Sequence, residues 1–149
     1  MSKVKLLLAS LLLLVGGTAV SCQSIGESIA DSHVRANVPD EKDFDTFMKR
    51  DLEAYFKDLK KKNLVVEYQL LRDGPTQSGT AFPKFYCWVT IKENGSLLED
   101  GAVRVAAMEK KRFGVHDYLA RVEIEKDMDK VYQTFPRPVA DKIKEKIGK

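Results

Sequence analysis

Between Phe44 and Leu59 the apolar residues Phe44, Phe47, Met48, Leu52, Tyr55, Phe56 and Leu59 recur three and four positions apart. That spacing lines them along one side of an α-helix and predicts a helix from about Glu41 to Lys62 with one face to bury. Asp40, directly after Pro39, suits the N-cap, and Asp43 puts negative charge in the first turn. Lys60, Lys61 and Lys62, followed by Asn63, suit the other end, where cations oppose the carbonyl dipoles. The roughly 110 residues from Asp40 onward have room for one domain with one core, and the stripe belongs to that core rather than to a partner surface.

The surface that covers the stripe follows in the chain. Across Leu64–Leu71, Val66, Tyr68 and Leu70 alternate with Glu67 and Gln69, the two-residue period of a strand. Asp73-Gly74-Pro75 ends it, and a loop of Gln, Ser, Gly and Thr leads to Pro83. A second strand, Phe85 to Lys92, sets Phe85, Cys87, Val89 and Ile91 against Tyr86, Trp88, Thr90 and Lys92. Asn94-Gly95 signals a two-residue hairpin, since both residues tolerate positive φ. A third strand is expected from about Ala102 to Glu109, a tip at Lys110–Gly114, and a fourth strand from Val115 to Glu125. In that fourth segment Tyr118, Ala120, Val122 and Ile124 alternate with Leu119, Arg121 and Glu123. Beyond Asp127 a short helix is expected to about Phe135, and Pro136 and Pro138 break it. A last helix from Val139 to Ile147 puts Val139, Ile143 and Ile147 on one face. The expected fold class is α+β: a long N-terminal helix packed on a four-stranded antiparallel meander, then one or two short C-terminal helices. By element order alone this is similar to the cystatin-like folds, a similarity that carries no function.

Residues 1–21 are of a different kind. Lys3 and Lys5 precede an apolar run from Leu6 to Val15, and small residues lead to Ala19-Val20-Ser21-Cys22. A positive start, a short apolar middle and a small-residue exit form the pattern of an export signal, too short to span a bilayer. Ala19-Val20-Ser21-Cys22 resembles the lipobox of bacterial lipoproteins, with Ala19 where Leu is usual. The resemblance implies cleavage before Cys22, which then carries a diacylglycerol and an acylated amino terminus (palmitate or a similar chain). Several such chains hold a protein firmly on a membrane. It implies an exported protein of the bacterial cell envelope, and Gln23 in place of Asp points to the outer membrane or its periplasmic face. The same residues also satisfy an ordinary secretory site, which would release a soluble secreted or periplasmic domain. The expected organisation is a signal peptide at 1–21, a flexible or loosely helical tether at 22–39 and a single α+β domain at 40–149.

Losing the leader lowers the formal net charge from +3 by two lysines, to about +1. A nearly neutral mature chain lacks the footprint of a nucleic-acid binder. Lys60-Lys61-Lys62 and Lys110-Lys111-Arg112 are the basic clusters, read as a solvated helix end and a hairpin tip, with anionic lipid head groups as the alternative contact.

Nothing in the sequence matches a nucleophile elbow, a zinc-protease helix, a phosphate loop or a dinucleotide fingerprint, so no enzyme, cofactor or metal is expected. Asn94-Gly95-Ser96 formally matches a glycosylation acceptor but is explained by the turn. The only thiol besides Cys22 is Cys87, and there are two histidines. Cys87 and His116 fall on nearby strands, with His116 sharing the parity of Tyr118, but core is the expected role of that thiol. A Cys22–Cys87 disulfide is the alternative to lipidation. Tyr86 and Trp88, with Leu119 on the matching side of the fourth strand, face away from the long helix. If the C-terminal helix covers them they are core; if not, they form an exposed aromatic patch that marks a partner surface. The functional expectation is a non-enzymatic module that binds an envelope protein, with Tyr86, Trp88 and Leu119 as candidate contacts. The alternative is a soluble domain holding a small apolar ligand between helix and sheet.

Overall fold

The computed structural model describes residues 22–149, with side chains from Ile29 onward, so the expected signal peptide at 1–21 lies outside the described residues. Helices α1 (Cys22–Asn37) and α2 (Glu41–Lys60) come first. Four strands follow, β1 (Val65–Leu70), β2 (Lys84–Glu93), β3 (Ser96–Met108) and β4 (Arg112–Ala120). Three short helices close the chain, α3 (Arg121–Lys126), α4 (Met128–Thr134) and α5 (Arg137–Lys146). The strands form one antiparallel sheet in the order β1-β2-β3-β4, so β1 and β4 are its edges. This is the expected α+β arrangement.

The segment expected as a tether is helical. At its end Asn37 is buried: its Nδ2 donates to His33 O, while its Oδ1 and O accept from the amides of Glu109 and Lys110. Two bonds to this one residue, one to its side-chain oxygen and one to its carbonyl, therefore fix the exit of α1 to the β3–β4 tip.

Helix α2 lies across one face of the sheet. Its fully buried Met48, Leu52 and Phe56 meet Cys87, Val89, Ile91, Val103 and Val105, all 0% exposed. Each such aliphatic or aromatic side chain contributes about 1.5–3 kcal/mol when taken from water. The Asp40 carboxylate makes no cap bond; the amides of Asp43 and Phe44 bond to its carbonyl instead, and Lys61 at φ 53 ends the helix. Asp51 and Glu53 flank Leu52 and reach opposite edges. Asp51 Oδ2 accepts from the amide of Phe113 on β4 at 2.6 Å, and Glu53 Oε1 accepts from Val66 on β1 at 3.4 Å.

The second face has its own core. Tyr86, Trp88, Ala102 and Leu119 pack against Ile124, Val131, Phe135, Val139, Ala140 and Ile143. Both faces being covered explains why β2 is buried at five consecutive positions, Phe85 to Val89, instead of alternating.

Three strand boundaries differ from expectation. β4 starts at Arg112 rather than Val115, because the chain already reverses at Glu109 (φ 55) and Lys110 (φ 59). β3 begins at Ser96, because Asn94 (φ 51) and Gly95 (φ 81) reverse the chain within two residues and pairing resumes at once. β4 ends at Ala120, and Arg121–Lys126 is helical. Val122 is 69% exposed and Ile124 0%, so the alternation read through these positions does not continue as a strand. Glu123 Oε2 accepts from the amide of Ala120, which starts the helix where the ladder stops. The register also shifts in β4: Asp117 pairs with Arg104 but Val115 with Val105, leaving His116 as the extra residue of a bulge.

Candidate functional site

Tyr86, Trp88 and Leu119 are 3, 4 and 5% exposed beneath the C-terminal helices. The exposed aromatic patch is therefore not formed; these residues are core, because α3, α4 and α5 together cover the face that one helix could not. The Tyr86 hydroxyl is hydrogen-bonded to the Thr76 hydroxyl at 2.7 Å, and its ring meets Phe135 edge-on at 6.3 Å. Around the rim of Trp88, Arg121 and Lys146 stand 5.2 and 5.8 Å from the ring. The polar cleft beside it holds about 420 Å³, and its charges are largely satisfied within the chain. Arg121 forks onto Asp100 at 2.9 Å, Lys146 donates to Gln69 at 2.6 Å, and Lys92 pairs with Glu67 at 2.8 Å.

The thiol–imidazole pairing is also undone. Cys87 is a free thiol, fully buried under α2, and burial pushes its pKa up to about 12. A thiol so held is protonated and a poor nucleophile. The parity argument that turned His116 inward with Tyr118 fails at the bulge, which leaves His116 on the surface. Partial burial, then the nearby cations Lys84 and Arg104, lower the pKa of His116, and Asp117 opposes them. Asp117 itself is bonded to Arg104 at 2.6 Å. Among the described residues no cluster of three or more His, Cys, Asp or Glu is arranged to hold a metal.

Cys22 opens α1, and its side chain lies outside the description. The first basic cluster is paired off: Lys60 with Glu99, Lys61 with Asp58 at 2.7 Å and Lys62 with Glu93 at 3.0 Å. In the second cluster Lys110 stands 3.5 Å from Asp40.

The space between α2 and the sheet is filled by the side chains of the first core, which leaves the apolar openings at the surface. One of them lies at the end of β1. Leu70 is the last residue of that strand and is 36% exposed. Gly74 (φ 69) then turns the chain away, and pairing with β2 resumes only at the Thr76–Lys84 bridge. The gap exposes an open groove of about 430 Å³ lined by Val38, Pro39, Phe44, Leu70, Pro75 and Phe85, with Glu41 and Asp45 on its rim. Asp45 accepts from the Tyr68 hydroxyl at 3.1 Å and pairs with Lys49 at 3.0 Å. The Lys49 ammonium chiefly, with the Tyr68 hydroxyl, holds its carboxyl below the usual carboxylate range.

The edge beside this groove is open too. Leu71 N–H donates to Tyr86 O at 2.8 Å, and the alternation of an antiparallel ladder then turns the N–H groups of Val66, Tyr68 and Leu70 outward. Glu53 caps the first of these. Tyr68 and Leu70 have no backbone partner on that side among the described residues.

Sequence reasoning missed this groove because Leu70 shares parity with Val66 and Tyr68 and reads as inward. The available signal was Asp73-Gly74-Pro75, a turn placed so soon after an apolar strand end that nothing remains to cover it. No helix among the described residues is long and apolar enough to cross a membrane. No protein-family model, curated protein or solved structure matches the chain.

Proposed function

We propose that this chain is an exported lipoprotein of the bacterial envelope, held on a membrane through Cys22, whose α+β domain binds another envelope component without catalysing a reaction. The observation that carries the reading is Ala19-Val20-Ser21-Cys22 directly behind a charged, then apolar, leader. The fully buried, free thiol of Cys87 supports lipid on Cys22 over a disulfide between the two. The 16 residues of α1 give the domain a reach of about 24 Å from the anchor at 1.5 Å per residue. With Tyr86, Trp88 and Leu119 sealed in the core, the contact surface is the apolar groove between α2 and the end of β1.

The test is intact mass after detergent phase partitioning, on protein expressed with its own leader. Mature protein beginning at Cys22, in the detergent phase and heavier by an acylated glyceryl group, is the expected result. Unmodified protein in the aqueous phase would remove the anchor from the proposal. A photo-reactive residue in place of Leu70 tests the contact in cells, and the reading expects cross-links there but not from the equally exposed Tyr132.

A further inference from the structure

We infer that Asn37 is a conformational latch: it clamps the root of α1 to the β3–β4 tip and so fixes the direction in which the chain leaves the domain toward Cys22. The inference goes beyond the reading of the domain as a binding module and holds whether or not Cys22 carries lipid. Asn37 is the one buried polar residue among the described residues. Its Oδ1 accepts from the Glu109 amide at 3.1 Å, and its carbonyl accepts from the Lys110 amide at 2.9 Å. Its Nδ2 donates to His33 O at 2.9 Å, which ties the same side chain back into its own helix. A buried polar group satisfied in this way admits one geometry, since any other leaves its atoms unpaired.

The tip shows the other half of the latch. The hairpin at Asn94 (φ 51) and Gly95 (φ 81) uses two residues that tolerate left-handed backbone. The β3–β4 hairpin puts Glu109 (φ 55) and Lys110 (φ 59) in the same region, although neither residue type favours it. Such a conformation persists where surrounding contacts hold it, and the two amides involved are the two that bond to Asn37. Little else holds α1. From Ile29 to Ala36 every residue is half-buried or exposed. Pro39 disfavours helical backbone at Val38, so α1 and α2 are not one continuous rod but meet at a joint. The Lys110–Asp40 pair across that joint is exposed, at 3.5 Å, and adds little. Val38 and Pro39 also line the groove beside Leu70, so the latch that sets the direction of α1 holds one wall of the groove.

The experiment uses the full chain, exported and purified in detergent, with spin labels on non-natural residues in place of Ser32 on α1 and Ala54 on α2, both exposed. Pulsed electron paramagnetic resonance should give one narrow distance distribution in the parent and a broad one in Asn37→Ala. Amide exchange on the same variant should quicken about tenfold at both Glu109 and Lys110, the scale of one net hydrogen bond, and stay unchanged at Phe113. Lys110 decides the matter: its bond is to the Asn37 carbonyl, which the substitution leaves in place, so its amide quickens only if the joint opens. A broad distribution in the parent, a narrow one in the variant, or an unchanged Lys110 amide would overturn the inference. Equal quickening at Phe113 would overturn it too, because Asn37 would then support the whole domain rather than latch α1.

Discussion

The two edges of the sheet are treated differently, though each has a carboxylate from α2 within reach. At β4, Asp51 takes the Phe113 amide in a short 2.6 Å bond, the His116 bulge bends the strand, and α3 starts where the ladder ends. At β1, Glu53 takes one amide at 3.4 Å, and the next two outward residues are left beside an apolar groove. Unpaired edges invite strand addition, and proteins generally blunt them with bulges, charges or covering elements. Here β4 carries a bulge and two capped outward amides, those of Phe113 and Ala120, where β1 carries one, that of Val66. The difference teaches that β1 is the side of the domain available to a partner, while β4 is committed to holding the fold.

Changes on the closed side should cost the most. A methyl group at Gly101 on β3 would stand 2.3 Å from the Leu119 carbonyl of β4, a backbone atom that cannot step aside. Gly101→Ala should destabilise the domain by about 3 kcal/mol, the upper end for overpacking, read as a lowered denaturant midpoint. A near-neutral result would mean that the β3–β4 approach is looser than described. Asp51→Ala removes a charged acceptor and leaves the Phe113 amide without it, with an expected loss of about 2 kcal/mol. Glu53→Ala, at the open edge, should cost only about 0.5 kcal/mol for its longer bond. Equal costs for Asp51→Ala and Glu53→Ala would erase the contrast between the edges.

Cys87 sharpens the comparison from inside, since it pairs in register with Leu70, one strand in from the groove. Its folded pKa is raised from 9.0 to about 12, so the stability it contributes is intact below the unfolded value and declines as pH climbs from 9.0 toward about 12. Cys87→Ala should lack that component of the alkaline decline, seen as a shallower fall of melting temperature with pH. Matching profiles for the two proteins would show that water reaches the thiol through the groove. Smallest of all is the stability effect of Leu70→Lys, within about 0.5 kcal/mol as for ordinary surface changes.

The closed parts of the molecule were also the legible ones. The stripe from Phe44 to Leu59 announced α2 because seven apolar residues at helical spacing have one physical solution, and Asn94-Gly95 announced its hairpin through backbone freedom. Only Leu59, at the last turn, stays 52% exposed where the helix runs past the sheet. Parity misled where tertiary contacts altered it. The bulge at His116 inverts the faces read through the middle of β4, and Val122 with Ile124 fit a strand and a helix equally well until Glu123 caps Ala120. Tyr86 and Trp88 fit core, the favoured reading, and also patch, because their fate depends on α3–α5, elements too short to be weighed by periodicity. The helix of α1 was masked by small polar residues, and the structure fixes its end through Asn37 rather than through an apolar face. The groove was illegible for a related reason: it exists because β1 stops one turn early, and exposure at a strand end depends on what the loop does next.

Amide exchange on the unliganded full chain in detergent, resolved to single residues, tests the contrast between the edges most directly. The account predicts that the Phe113 amide exchanges only with opening of the domain, while those of Tyr68 and Leu70 exchange many times faster under the same conditions. Comparable protection at all three would contradict it, and would mean that β1 is already covered or that β4 is as open as β1.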